Sequence, residues 1–289
     1  MPSRGRRWSP ALDRAGSAAE TRGVVRTNSA EEIDNAAGAA RGNTDLARVA
    51  GEWESQQDIY RPERNAGLAA LIEAASIGPA RHELVVDLAC GTGSITARLL
   101  DRYPRSRVVG VDRDPVLLAL AAAVFDDDSR VSLRRADLTD KSWPSVITDT
   151  PRAVLTAAAM HWLDETTVRR VYHQLADLLP EGGVYANLDW FPLDHANRLT
   201  AFADKVVKRR EAKQLANAAG MSWSDWWSLL ARQEELREAF TQREALQLAR
   251  SAEFIKPAAW HERELINAGF SETAVIWRSF SSAVLVAVR

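Results

Sequence analysis

The sequence predicts an α/β protein: a doubly wound, mostly parallel sheet carrying a helical insertion. Three observations predict it. Short β-branched runs alternate with helical patterns of ten or more residues. A glycine-rich turn, Asp87 to Ser94, joins an apolar strand to a helix start. The alternation then stops after Phe191 and gives way to a block of helical periodicity reaching Lys256.

The elements follow in order. Residues 1–45 scatter Arg4, Arg6, Arg7, Arg14, Arg22 and Arg26 among Ser, Ala, Gly and Asn with almost no periodic apolar face, and read as a disordered tail. From Asp45 to Ile77 the pattern is helical, with Leu68, Leu71 and Ile72 on one face after the break at Tyr60, Arg61 and Pro62. Strands are predicted at 84–88, 107–111, 131–135, 153–156 and 183–188, with helices at 92–103, 115–125 and 165–179. After Pro257 come a helix at Trp260–Ala268, a Gly269 stop, and two β-rich runs, Thr273–Phe280 and Ala283–Val288, that close the sheet as an antiparallel hairpin. The expected organisation is a tail (1–45), a core (46–193 and 257–289) and a helical lid that binds the acceptor (194–256).

With 289 residues, 46% hydrophobic and 26% charged, the chain has the composition of a globular protein with room for one large domain and an appendage. A net charge of −2 supplies no positive field to draw it onto a nucleic-acid backbone. Its one cysteine, Cys90, makes no internal disulfide, and apolar runs such as Ala119 to Phe125 are too short for a membrane span. A cytoplasmic enzyme is expected, a monomer or homodimer with no nucleic-acid or membrane partner.

The chemistry begins at Asp87-Leu88-Ala89-Cys90-Gly91-Thr92-Gly93-Ser94. Gly91 and Gly93 let the backbone turn sharply near a ligand, and the helix start offers unpaired N–H donors. The third position of the dinucleotide fingerprint is not matched, since Ala97 follows, and the phosphate-binding lysine is missing. Asp112 ends the next strand, where a carboxylate can take both hydroxyls of a ribose. Asp137 ends the third and can accept an exocyclic amine. Each acid alone also fits an ordinary loop or cap; the three together make a nucleoside site.

Val85 to Gly93, Val109-Gly110-Val111-Asp112 and Ala136-Asp137 resemble the cofactor motifs of class I S-adenosylmethionine-dependent methyltransferases of the small-molecule type. So does the turn Leu178-Leu179-Pro180-Glu181-Gly182-Gly183. The resemblance covers roughly two thirds of the chain and implies a Rossmann-like, seven-stranded sheet with an antiparallel last strand. It implies that Asp87 and the loop residues Ala89, Cys90, Gly91 and Gly93 hold the methionine part of S-adenosylmethionine. Asp112 falls to the ribose hydroxyls and Asp137 with Leu138 to the adenine; Arg113 and Ala158 are implied as further cofactor-binding residues. Tyr60 and Arg61 resemble positions that close over the methionine carboxylate. The family's first loop glycine is Ala89 here. The product implied is S-adenosylhomocysteine, and no metal is expected.

Transfer of an activated methyl group needs chiefly an in-line geometry. His161, just past the fourth strand, is the candidate general base; the competing reading makes His161 and Trp162 a pocket wall or a cap for the helix that starts after Asp164. In the insertion Trp223, Trp226, Trp227 and Leu230 recur at i, i+3, i+4 and i+7, making one aromatic face. That face either lines an acceptor pocket, with Trp162, Trp190, Phe191 and Phe202, or fastens the insertion to the core. Asp164 and Asp189 read as loop acids rather than magnesium ligands. The function expected is methylation of a small, fairly apolar metabolite, aromatic or polycyclic, of the natural-product kind. The alternative is a protein with the same fold and cofactor that catalyses a cyclisation or other non-methyl chemistry.

Overall fold

The computed structural model describes residues 46–54, 57, 61, 63–79, 83–193, 197–217, 222–246 and 254–289. The expected tail lies outside them. Seven strands form one sheet: β1 (Leu84–Leu88), β2 (Arg107–Asp112), β3 (Val131–Arg135), β4 (Ala153–Ala157), β5 (Val184–Trp190), β6 (Glu272–Ser279) and β7 (Ser282–Val288). Their spatial order is β3-β2-β1-β4-β5-β7-β6. The first five pair in parallel, and β7 runs antiparallel to both β5 and β6. The strand order reverses between β1 and β4, so a crevice opens above the carboxyl ends of these strands.

Burial explains the strand sequences. β1 reads Leu-Val-Val-Asp-Leu and is buried at every position, as a parallel strand covered on both faces must be. β6, at the edge, alternates exposed and half-buried residues, and a register shift between Val275 and Trp277 interrupts its pairing.

Helical segments are α1 (residues 46–54), α2 (Arg64–Ala74), α3 (Ser94–Arg102), α4 (Pro115–Val124), α5 (Glu165–Leu178), α6 (Asn197–Asn217), α7 (Trp223–Leu230), α8 (Arg237–Ala245) and α9 (Ala258–Ala268). Short polar side chains start several of them: Asp114 accepts from Val116 N ahead of Pro115, Asp164 from Thr167 N, and Ser222 from Asp225 N. Gly269, at φ +107, ends α9. Helices α5 and α9 cover one face of the sheet over Val86, Val154, Tyr185 and Leu285, while α2, α3 and α4 cover the other over Val85, Leu155 and Val286. Among the described residues no helix is long and apolar enough to cross a membrane.

A third apolar cluster settles the reading of the tryptophan stripe. Trp226 and Leu230 of α7 are fully buried with Leu236 against Leu46 and Val49 of α1 and Val116 and Leu120 of α4. The Trp226 indole N–H donates to Val49 O at 3.1 Å, and its ring lies 4.5 Å from that of Trp53. The centre of the stripe is therefore packing, and the insertion is fastened to α4 on the β2 and β3 side of the molecule. Trp226→Ala is expected to destabilise the protein by about 3–5 kcal/mol through the cavity and the lost indole bond. Urea unfolding measures this, and a change under about 1 kcal/mol would mean that the insertion is not held there.

Candidate functional site

The turn between β1 and α3 is built from left-handed backbone. Ala89, Gly91 and Gly93 have φ of 58°, 56° and 88°. Gly93 must be glycine for a second reason, since a Cβ there would run into the Phe125 ring. Beneath the turn, the Asp87 carboxylate accepts from Thr96 N at 3.0 Å and Thr96 Oγ1 at 2.7 Å, fixing the first turn of α3. Its other oxygen, Oδ1, is buried without a hydrogen-bond partner.

Asp112 ties three segments together. Its Oδ2 accepts from Gly91 N at 2.8 Å, its Oδ1 accepts from Asp114 N at 2.9 Å, and its backbone carbonyl accepts from Ala136 N at 3.0 Å. Each carboxylate oxygen keeps a second lone pair for a donor from outside the protein. Burial pushes Asp112 up to about 6 and Asp87 up to about 7, with hydrogen bonds to each opposing the shift. Past β3, Asp137 Oδ1 accepts from Thr139 N and Oγ1, both at 2.8 Å, while Oδ2 lies 3.5 Å from Arg113 Nη1. Leu138 beside it is buried.

The other half of the crevice lies above β4 and β5. His161, in a short 3-10 turn after β4, places Nδ1 2.7 Å from Asp189 Oδ1 of β5, with both side chains buried. Asp189 also accepts from Trp190 N at 2.9 Å and from His161 N at 3.3 Å. Burial works to raise the Asp189 carboxyl, but the charge and hydrogen bond of His161 outweigh it and hold the group below its ordinary value. Nε2 of His161 has no hydrogen-bond partner among the described residues. Trp162 packs against the imidazole at 4.6 Å, and the Arg61 guanidinium lies 5.7 Å from the Trp190 ring, close enough to Asp189 to act on its charge.

Most of the sequence-predicted residues fall into these two half-sites, with some changes of role. Cys90 turns its thiol into the core against Gly110, so only its backbone can serve a ligand, and burial pushes the thiol up. Asp87 is fully buried and supports the turn from below. Phe191, expected to line the acceptor pocket, is 1% exposed and packs edge-on against His261; it belongs to the core. Phe202 is exposed on α6 beside Phe280. Trp223 and Trp227 are half-buried next to Trp226, on the α4 side rather than at His161. Ala158, at φ 57°, donates its N–H to Leu188 O at 2.9 Å at the end of β4. Tyr60 lies outside the described residues.

Sequence reasoning missed Glu54. It accepts from Arg64 Nη1 and Arg98 Nη1, both at 2.9 Å, and from the Ser94 hydroxyl, clamping α1 and α2 to the start of α3. Burial raises this carboxyl, but Arg64, Ser94 and Arg98 together outweigh it and the net shift is downward. The partnership of Asp189 with His161 was also missed, since nothing in its local sequence points 28 residues back.

Residues 85–183 match the family model of a methyltransferase domain. Malonyl-[acyl-carrier protein] O-methyltransferase of Paenibacillus sp. (strain JDR-2) is 23% identical over 184 residues, 63% of this chain and 66% of the relative. Trans-aconitate 2-methyltransferase of Azoarcus sp. (strain BH72) is 32% identical over 136 residues, 46% of this chain and 49% of the relative. The chain thus spans about half to two thirds of the length of these relatives. An O-methyltransferase family protein from Burkholderia thailandensis shares the fold at a TM-score of 0.54 and 18% identity, over 82% of this chain and 59% of that one.

The shift of Asp112 makes a stability prediction. A carboxyl whose folded pKa is raised stabilises the fold fully only below its unfolded value of about 4, and that contribution is lost as pH rises through about 6. Asp112→Asn cannot ionise, so the melting-temperature advantage of the wild type over it should shrink between pH 4.5 and 8. A gap that stays constant would show that Asp112 titrates as an ordinary acid.

Proposed function

We propose that this chain, which carries a class I S-adenosylmethionine-dependent methyltransferase domain, methylates an oxygen of a small hydroxyl-bearing molecule with an apolar body, leaving S-adenosylhomocysteine. The observation that carries the reading is the 2.7 Å bond from His161 Nδ1 to the buried Asp189 carboxylate.

The residues at the ends of β1, β2 and β3 fit the cofactor. The Gly91 turn is open, because a Cβ there would meet nothing nearer than Leu117 Cδ1 at 4.0 Å. The orphaned Asp87 Oδ1 offers an acceptor beneath that turn for a donor or positive group. Asp112 has lone pairs to spare for two ribose hydroxyls. Asp137 suits the adenine amine less well than its sequence position implied, since Oδ1 is already occupied by Thr139 and only Oδ2, shared with Arg113, can take part. When bound, S-adenosylmethionine supplies a methyl group on a sulfonium, already activated as an electrophile.

What remains for the protein is to orient the acceptor and take its proton. With Nδ1–H donated to the Asp189 carboxylate, neutral His161 presents Nε2 as a lone pair. A hydroxyl at hydrogen-bond distance from Nε2 gives up its proton there as its oxygen takes the methyl group. Trp162, packed against the imidazole, offers an apolar face to a flat acceptor.

A carboxylate acceptor is a second reading, favoured by the Arg61 guanidinium beside Trp190 and Asp189 and by the acids named for the curated relatives. A carboxylate needs no base at neutral pH.

Asp112→Ala is expected to abolish S-adenosylmethionine binding in calorimetry while circular dichroism stays that of the wild type; unchanged affinity would put the ribose elsewhere. Panels of hydroxylated and carboxylic metabolites, followed by S-adenosylhomocysteine release and a mass gain of one methyl, test the reaction. With a hydroxyl acceptor, His161→Ala should lower kcat about 10²–10⁴-fold and leave cofactor affinity unchanged. A His161→Ala variant nearly as active as the wild type would favour the carboxylate reading. Turnover without S-adenosylhomocysteine would refute methyl transfer.

A further inference from the structure

The helical insertion reaches a part of the crevice that its sequence position does not suggest. It leaves the core after β5, yet α8 lands on the ends of β2 and β3. Arg243 Nε donates to Asp114 Oδ2 at 2.7 Å, and Asp114 is largely buried. The same guanidinium sits 4.2 Å from the centre of the Trp227 ring, so an aromatic face backs the ion pair. One residue earlier, Gln242 Oε1 accepts from Arg135 Nη1 at 2.6 Å, at the last residue of β3. Helix α8 packs along α4, and the buried Trp226 cluster holds α7 on the same side.

Asp114 is two residues beyond Asp112, whose Oδ1 accepts from the Asp114 N–H. We infer that Arg243, backed by Trp227, positions the Asp112 to Asp114 corner from the insertion, making α8 a clamp on the adenosine half of the cofactor site and not a wall of the acceptor pocket. This rests on the S-adenosylmethionine reading above.

Geometrically, Arg243 and Gln242 fasten one helix to the two strand ends that bear Asp112 and precede Asp137, so the ribose and adenine positions lie under the same clamp. Electrostatically, the negative charge of Asp114 opposes ionisation of Asp112, and the guanidinium on Asp114 offsets it. Losing the arginine leaves Asp114 uncompensated beside the acid that must accept the ribose hydroxyls. Arg243 touches no reacting atom in this account; it is a positioning residue.

The test uses the full chain, with S-adenosylhomocysteine and 5′-methylthioadenosine as probes. The second keeps the adenosine and thioether but lacks the amino-acid part. Arg243→Gln is expected to weaken both about tenfold by calorimetry and to speed S-adenosylhomocysteine dissociation in stopped-flow tryptophan fluorescence. Arg243→Lys should recover part of the affinity, and both variants should keep a melting temperature within a few degrees of wild type in the absence of ligand. Loss of S-adenosylhomocysteine affinity with methylthioadenosine affinity unchanged would place α8 at the methionine end and overturn the inference. So would wild-type affinity for both probes. If the wild type binds neither probe, the cofactor reading itself fails, which separates the two claims. Should Arg243→Gln not fold, Trp227→Leu, which removes the aromatic backing of the guanidinium, is expected to weaken both probes to a smaller extent, and wild-type affinity for both would overturn the inference.

Discussion

Asp112 stands at the end of β2 with an oxygen committed to Gly91 N and the other to Asp114 N, while its carbonyl holds Ala136. These three bonds fix the glycine turn, the start of α4 and the exit of β3 relative to one another. Backbone N–H groups cannot be left unpaired in a buried turn without a cost of about 1–3 kcal/mol each, so a carboxylate at this position organises the strand ends before any ligand arrives. Ionisation is costly there, as its upward shift to about 6 shows. The free protein thus holds a charge that a pair of ribose hydroxyls would stabilise, which connects the packing of the crevice to the chemistry of what it binds.

The crevice above β4 and β5 obeys the same logic with a different pair. His161 follows β4 and Asp189 lies on β5, and their contact exists because the two strands run in parallel register with Thr156 opposite Asn187. In the insertion, α8 is tied to Asp114 and Arg135, and where the chain returns Phe254 N donates to His161 O at 2.9 Å.

Much of this was legible in the sequence because it is local. The order and boundaries of the strands, the hairpin at the end, the stop at Gly269 and the helical character of the insertion follow from periodicity and from the backbone freedom of glycine. Of the site, the glycine turn and Asp112 were legible for the same reason: both sit at strand ends, where a motif fixes place as well as identity. What could not be read depends on long-range contact. Asp189 looked like a loop acid until β5 placed it beside His161. The tryptophan stripe had the period of a buried face, but period alone does not say what covers it; α1 and α4 do, and so Trp226 is core. Phe191 looked like pocket lining from its place after β5, yet the chain turns it inward against His261. Glu54 escaped notice because its partners, Arg64, Ser94 and Arg98, lie on two later helices.

The central claim is that the buried Asp112 carboxylate is the anchor of a nucleoside-bearing cofactor. A crystal structure of the protein with S-adenosylhomocysteine tests it most directly. The account predicts both ribose hydroxyls within about 2.5–3.0 Å of the Asp112 oxygens, with the adenine over the end of β3 and the thioether facing His161. A ribose bound away from Asp112, or a nucleoside seated elsewhere on the molecule, would contradict it.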